Sequence, residues 1–149
     1  MHVIQILSAL LTPVVVVVTT YIAIQQYRTN KLKIRLELFE KRYAVYEGAK
    51  EFVSIAVRDG NLANEAFFKL NDRTQDAFFL FDNRVDEYID TLREKGARLR
   101  YLRDQLADQS LPIGEERSKI SAESAELGIW FSNQFLDAKR VFRKYLRVL

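Results

Sequence analysis

The first part of the chain is almost wholly hydrophobic, and in the rest of the chain hydrophobic residues recur at regular intervals. Residues 3–24 read VIQILSALLTPVVVVVTTYIAI and contain no charged side chain. A helix of this length covers about 33 Å, enough to cross a hydrocarbon core of roughly 30 Å with a slight tilt. The pattern therefore predicts a transmembrane helix, with residues 1–27 as the membrane anchor and residues 28–149 as a separate domain.

Two other interpretations of this segment agree less well with the sequence. A cleaved signal peptide has a basic start, an apolar core of about 7–15 residues and a small-residue cleavage site. Here only Met1 and His2 precede a longer core, and no A-x-A pattern follows it. A buried helix of a soluble protein seldom stays free of charge over so long a stretch before a basic flank.

Basic residues after the apolar segment predict its orientation. Four cations precede the first acid, Glu37, and they are Arg28, Lys31, Lys33 and Arg35. A basic flank of this kind stays on the cytoplasmic side of the membrane. The sequence therefore predicts a single-pass protein with its N-terminus outside and its C-terminal domain in the cytoplasm.

The segment after the anchor shows the three-and-four spacing of one helix face. Its apolar positions are Leu32, Leu36, Phe39, Tyr43, Tyr46, Ala49, Val53 and Ala56, with a second row at Leu38, Val45 and Phe52. This spacing predicts that the membrane helix continues to about Arg58. Asp59-Gly60-Asn61 then ends it, because Gly60 suits the left-handed position after a helix and Asn61 can cap the next helix.

Three further helices are predicted. The second covers residues 63–81 with an irregularity at Asn71-Asp72, and the third restarts at Asp82-Asn83 and runs to Leu106. The three-and-four spacing of apolar residues also continues through residue 82, so a single longer helix is the alternative. A loop at residues 109–114 precedes the last helix, which opens at Glu115.

Short connections between helices favour antiparallel packing. The predicted fold is therefore all-α: one N-terminal transmembrane helix that continues into an antiparallel cytoplasmic bundle of about four helices. The fourth helix would return the chain to the inner leaflet. Its end carries five cations with no acid after Asp137, and they are Lys139, Arg140, Arg143, Lys144 and Arg147.

The two basic groups are expected to form one membrane-interface patch. Each cation near an anionic leaflet contributes around 1 kcal/mol of attraction. A competing interpretation is that the second group only complements the negative end of the helix dipole or forms a solvated face. The lipid bilayer is thus the first predicted partner.

The remaining chemistry points away from catalysis. The net charge is only +3, which does not indicate nucleic acid, and cysteine is absent. The one histidine, His2, would lie outside the cytoplasm, and no phosphate-binding or metal-binding motif occurs. The carboxylate pairs Asp86/Asp90 and Glu115/Glu116 are interpreted as surface acids. No catalytic residue, metal or cofactor is predicted, and the aromatic group of Phe78, Phe79, Phe81 and Trp130 is expected in the core.

The juxtamembrane sequence resembles a known pattern. Residues 30–46 read NKLKIRLELFEKRYAVY and are similar to the NKL-x-LF-x-KR-Y-x-x-Y signature of small, uncharacterised, membrane-anchored bacterial proteins. Phe79-Leu80-Phe81, Trp130-Phe131 and the terminal Phe142-x-x-Tyr145-Leu146 fit the same pattern. The resemblance implies a bacterial inner-membrane protein with a cytoplasmic helical domain, and it implies no activity.

Arg42 is the single position in this signature with site-like chemistry. Its guanidinium lies in sequence among Phe39, Tyr43 and Tyr46. We expect a structural ion pair with a carboxylate of the second or third helix, and a ligand contact is the alternative.

Two function classes follow from these observations. The first is a non-enzymatic interaction or scaffold module that holds a protein partner, or copies of itself, at the inner leaflet. The alternative is a membrane-perturbing effector or small channel formed by oligomers of the transmembrane helix, although that helix lacks both a G-x-x-x-G motif and a charge along its span. Ion leakage on expression would favour the second class, and a stoichiometric co-purifying protein would favour the first.

Overall fold

The computed structural model describes residues 2–60, 62–108 and 112–147, with side chains from residue 11 onward. The chain forms two compact units, Met1–Leu38 and Phe39–Leu149. The predicted domain boundary after residue 27 rests on membrane chemistry, whereas this division rests on packing.

The first unit consists of the beginning of helix α1, which runs from His2 to Arg58. Thr19 and Thr20 donate hydroxyl hydrogen bonds to carbonyl oxygens one turn earlier, at 2.8 Å to Val15 and 2.7 Å to Val16. These bonds satisfy both hydroxyl donors within the helix itself.

Within the residues whose side chains the structure describes, no helix is both long enough and apolar enough to cross a membrane. The predicted span of residues 3–24 begins outside that set, since the side chains of residues 1–10 are not described. The transmembrane helix stays a prediction.

The second unit contains the end of α1 and the four remaining helices. These are α2 (Asn64–Thr74), α3 (Ala77–Leu80), α4 (Asn83–Ala107) and α5 (Glu115–Phe142). The described residues include no strand. The predicted all-α class is therefore confirmed, and four of the helical segments are long enough to form a bundle.

Local sequence explains two of the helix ends. Gly60 adopts φ +62°, the left-handed conformation predicted for the residue that ends α1. Asp82 caps α4, as predicted, because its Oδ1 accepts a hydrogen bond of 3.2 Å from the backbone N–H of Arg84. The other predicted cap, Asn61, lies outside the described residues, and so do residues 109–111 of the predicted loop.

The break in the second predicted helix comes later than expected. The helix passes through Asn71-Asp72 and ends at Thr74, a buried residue whose hydroxyl donates to the Leu70 carbonyl at 2.7 Å. The chain then turns and Ala77, which is also buried, begins α3. Burial of Thr74 and Ala77 fixes the turn, and neither residue type signals a helix end in a sequence.

Contacts within the second unit show the predicted antiparallel order. Phe52 and Phe67 lie with ring centroids 5.2 Å apart, and Lys69 lies 3.3 Å from Glu51, so α2 runs back along α1. Arg98 meets Glu123 at 2.6 Å near the middle of α4 and α5. Lys144 reaches Asp82 at 3.6 Å, so the end of α5 lies beside the start of α4.

The core lies where these helices meet. Phe52 is near its centre, with the ring of Phe131 at 6.3 Å and Gly96 of α4 directly opposite. The buried apolar side chains of the long helices include Val45, Ala49, Val53, Ala56, Leu70, Val85, Ile89, Leu92, Leu99, Leu102, Leu127, Ala138 and Phe142. Val45, Ala49, Val53 and Ala56 belong to the apolar face of α1 that the spacing predicted.

The aromatic group around α3 departs from the expectation. Phe78 and Phe79 are 69% and 82% exposed, so their predicted place in the core is wrong. Phe81 and Trp130 are half-buried and do pack against the core. A single helical turn directs only Ala77 and Leu80 inward, which leaves the two residues between them on the surface.

Candidate anion-binding groove

The two predicted basic groups lie in different units. Arg28, Lys31, Lys33 and Arg35 are exposed on the part of α1 that belongs to the first unit. The five C-terminal cations belong to the second unit and are also exposed.

The C-terminal group divides into paired and unpaired cations. Arg140 lies 3.2 Å from the Asp137 carboxylate, one turn earlier on α5. Lys144 lies 3.6 Å from Asp82 and 5.2 Å from the centre of the Tyr145 ring. These two cations therefore have acidic partners on the surface of the bundle.

The other three cations line one groove. It has a volume of about 360 Å³, and its lining residues are Tyr46, Lys139, Phe142, Arg143, Leu146 and Arg147. No carboxylate is among them. Within the part of the chain that the structure describes, Lys139, Arg143 and Arg147 have no acidic group within ion-pair distance. We call this site the basic groove.

An aromatic cluster forms the floor of the basic groove. Phe142 is fully buried and contacts Tyr46 and Phe81 edge to face, with ring centroids 5.4 Å apart in each pair. Phe81 also contacts Tyr145 at 5.1 Å. Edge-to-face pairs of this kind hold their rings in defined orientations. The end of α5 is therefore fixed to α1 and to the residue after α3.

Arg42 belongs to this support and not to the groove. Its Nε donates a hydrogen bond of 3.1 Å to the Leu80 carbonyl, and its guanidinium lies 5.9 Å from the centres of both the Phe81 and Tyr145 rings. The contact does reach the second predicted helix, because Leu80 lies within residues 63–81. Its partner, however, is a carbonyl oxygen and two aromatic rings, where a carboxylate was expected.

This arrangement can bind an anion that carries an apolar portion. Three cations surround the opening, while Tyr46, Phe142 and Leu146 supply an apolar wall. Lys and Arg side chains bind phosphate oxygens through charge-assisted hydrogen bonds. The groove therefore has the chemistry of a phosphate-binding surface.

The predicted carboxylate pairs have surface roles. Asp90 is paired with Arg93, and Glu115 lies 2.7 Å from Lys119. Asp86 is half-buried, and its pKa is raised by that burial and by the neighbouring Asp90 and Asp82 carboxylates. No group of three or more potential ligands among the described residues lies close enough to hold a metal ion.

Sequence reasoning identified the five C-terminal cations but did not predict that only three of them line the groove. Lys139, Arg143 and Arg147 recur every four residues, which places them on one side of the C-terminal segment. Arg140 and Lys144 follow each of the first two by one residue and so face elsewhere. This spacing was the available signal, whereas the part of Tyr46 in the groove depends on tertiary packing.

No protein-family model matches the chain, and comparison with curated proteins and with solved structures gives no significant match. The resemblance to small membrane-anchored bacterial proteins therefore stays a prediction.

Proposed function

We propose that this protein is a non-enzymatic interaction module tethered to the bacterial inner membrane. The uncharged segment of residues 3–24 and the four cations that follow it support a single-pass anchor with its C-terminal domain in the cytoplasm. In this role the bundle holds a protein partner, or another copy, at the inner leaflet.

The basic groove is the observation that carries the proposal. Three cations that have no acidic partner among the described residues line an apolar wall, which suits the headgroups of anionic phospholipids, whose phosphates lie beside hydrocarbon. Each cation near such a surface contributes around 1 kcal/mol. We propose that Lys139, Arg143 and Arg147 contact the inner leaflet, while Arg28, Lys31, Lys33 and Arg35 flank the anchor. Arg140 and Lys144, which already have ion-pair partners, are proposed to contribute less to this contact.

The reactivity of Lys139 tests this assignment in the full chain. The protein is placed in nanodiscs of phosphatidylglycerol or of phosphatidylcholine, and acylation of Lys139 is followed by mass spectrometry. Lys119, at the other end of α5, serves as the internal reference. We expect Lys139 to react several-fold more slowly in the anionic discs, because its amine is then occupied by phosphate.

Two double variants provide a matched control. Arg143→Gln with Arg147→Gln removes two groove cations, and Arg140→Gln with Lys144→Gln removes two paired cations from the same stretch. Lipid-dependent protection should vanish in the first variant and persist in the second. Equal protection in both variants, or none in the unmodified chain, would contradict a lipid contact at the groove.

A further inference from the structure

Two exposed phenylalanines lie side by side on the short helix α3. The ring centroids of Phe78 and Phe79 are 5.4 Å apart, and both side chains are mostly exposed. They lie between Ala77, which is buried, and Leu80, which is half-buried. The two rings therefore form one contiguous apolar projection, which we call the phenylalanine pair. Contiguous exposed apolar surface commonly marks a contact with a membrane or with another protein.

The segment that carries the phenylalanine pair is held by several contacts. Arg42 of α1 donates a hydrogen bond of 3.1 Å to the Leu80 carbonyl, and the backbone N–H of Phe81 donates to the Ala77 carbonyl at 3.0 Å. Phe81 also packs edge to face against Phe142, which is a lining residue of the basic groove. The phenylalanine pair is thus fixed at the same end of the second unit as the basic groove.

Aromatic rings are concentrated at this end, where α1 enters the second unit. The unit begins at Phe39, and successive ring contacts of 5.1–5.9 Å join Phe39, Tyr43, Tyr46, Phe142, Phe81 and Tyr145. The basic groove adds Lys139, Arg143 and Arg147. Aromatic side chains together with Lys and Arg are typical of surfaces that lie at the boundary between lipid headgroups and acyl chains.

The size of the phenylalanine pair favours lipid over a protein partner. Two phenylalanine side chains bury roughly 300–500 Å² at most, whereas a stable protein interface buries about 800 Å² on each partner. Insertion into a bilayer has no such minimum, since its strength grows with the apolar area that is buried. Of the two acids that flank α3, Asp76 and Asp82, the second lies 3.6 Å from Lys144, which reduces repulsion from anionic lipid.

We propose that the phenylalanine pair inserts at the boundary between headgroups and acyl chains of the inner leaflet, beside the phosphates that the basic groove binds. This inference deepens the proposed function and rests on it, because the anchor is what brings the bundle to the bilayer. It adds an apolar contact to an electrostatic one. Salt screens the attraction of exposed cations, whereas apolar burial is not screened, so the pair keeps the bundle on the leaflet at physiological ionic strength.

Fluorescence quenching by a labelled lipid tests the insertion in the full chain. The chain has no cysteine of its own, so Phe79→Cys carries a single bimane label. The protein is placed in phosphatidylglycerol nanodiscs, with or without a lipid that bears a nitroxide near the top of its acyl chain. Phe78→Cys provides a second site on the same projection. Circular dichroism that matches the parent shows that each labelled chain is folded.

Phe68→Cys is the matched control. Phe68 is a phenylalanine of α2 that is 70% exposed, close to the 69% of Phe78. Its neighbour Phe67 contacts Phe52 of α1. Phe52 lies ten residues further along α1 than Arg42, or about 15 Å from the end that holds the phenylalanine pair. A label at residue 68 is therefore equally accessible to water but remote from the proposed lipid contact.

We expect the labels at residues 78 and 79 to be quenched at least threefold more strongly than the label at residue 68. If neither is quenched while Lys139 is still protected in anionic discs, the insertion is wrong and the proposed function stands. Loss of both effects would overturn both. Equal quenching at residue 68 would show that the bundle meets lipid by another face, and blue-shifted emission at residue 79 without quenching would indicate a protein partner or a second copy. Either result would overturn the insertion.

Discussion

At Gly96 the missing side chain lets α4 lie directly against Phe52 of α1. A Cβ atom built at this position would lie 2.6 Å from Cζ and 2.9 Å from Cε1 of that ring. Phe52 is itself almost fully buried and contacts Phe67 and Phe131, so it has little room to move. The close approach of the two helices therefore depends on one residue.

Gly96→Ala should destabilise the bundle, and Gly128→Ala provides the matched control. Overpacking costs about 1–3 kcal/mol, while alanine in place of glycine gains about 1 kcal/mol of helix propensity, so we expect a net loss of about 1 kcal/mol at residue 96. Nothing lies within 4 Å of a Cβ at Gly128, so that variant should gain about 0.5–1 kcal/mol. Urea denaturation followed by circular dichroism measures both, and equal stabilities would contradict the close contact.

Prediction of individual residues from sequence succeeded where regular spacing determines their burial or exposure, and it failed where tertiary packing determines it. The five C-terminal cations were identified, but only the fold shows that Asp82 lies beside Lys144 across a gap of more than sixty residues. Phe78 and Phe79 were misplaced because four residues do not reveal a one-turn helix. The buried positions Val45, Ala49, Val53 and Ala56 of α1 were predicted correctly from their spacing.

At the level of helices, one ion pair joins α4 to α5. Arg98 binds Glu123 through two parallel hydrogen bonds, 2.6 Å from Nε to Oε1 and 2.7 Å from Nη2 to Oε2. The hydrogen bond from Arg98 lowers the pKa of Glu123 below its ordinary value of 4.5. Both side chains are partly solvated, so the contribution to stability is small but depends on pH.

The sign of that dependence is set by the lowered pKa. A carboxylate with a lower pKa in the folded state stabilises the protein above its unfolded pKa, and this stabilisation is lost as the pH falls through the folded value. We expect Glu123→Gln to be less stable than the parent at pH 7, and the difference to shrink as the pH falls from the unfolded pKa through the lower folded pKa of Glu123. Denaturation midpoints at a series of pH values measure this difference.

Glu126→Gln is the control for the pH series. Glu126 is exposed one turn further along α5 and has no ion pair among the described contacts. Its substitution should leave the midpoints close to those of the parent at every pH. If the denaturation midpoints of Glu123→Gln also matched those of the parent at every pH, the bidentate contact would add nothing to the stability of the packing between α4 and α5.

Helix boundaries show how far element-level prediction reaches. The end of α1 at Arg58 and the start of α4 after Asp82 were predicted because Gly60 and Asp82 act through local backbone geometry. The turn between α2 and α3 was placed too early, since buried Thr74 and Ala77 determine it. Local sequence signals determine where a helix ends, whereas tertiary packing determines where a helix is interrupted.

For the whole molecule, orientation in the membrane is the main prediction. A reporter that is active only in the cytoplasm should work when it is fused after Leu149, because the basic flank follows the apolar segment. A variant with Arg28, Lys31, Lys33 and Arg35 changed to Gln should weaken this preference and reduce reporter activity. A reporter of the opposite type, active only outside the cytoplasm, should stay silent in the unmodified fusion; activity there would contradict the orientation.

The order of the helices also affects how this chain is made. Helix α5 supplies Leu127, Phe131 and Phe142 to the core, yet it is synthesised after the helices that it covers. At about 5–20 residues per second, residues 115–149 take roughly 2–7 s to synthesise, whereas helical bundles fold within microseconds to milliseconds. During those seconds α5 is not yet available to cover Phe52 of α1. Aggregation or proteolysis in that interval would depend on translation speed over codons 115–149, so slow codons there should lower the yield of a chain whose folded stability is unchanged.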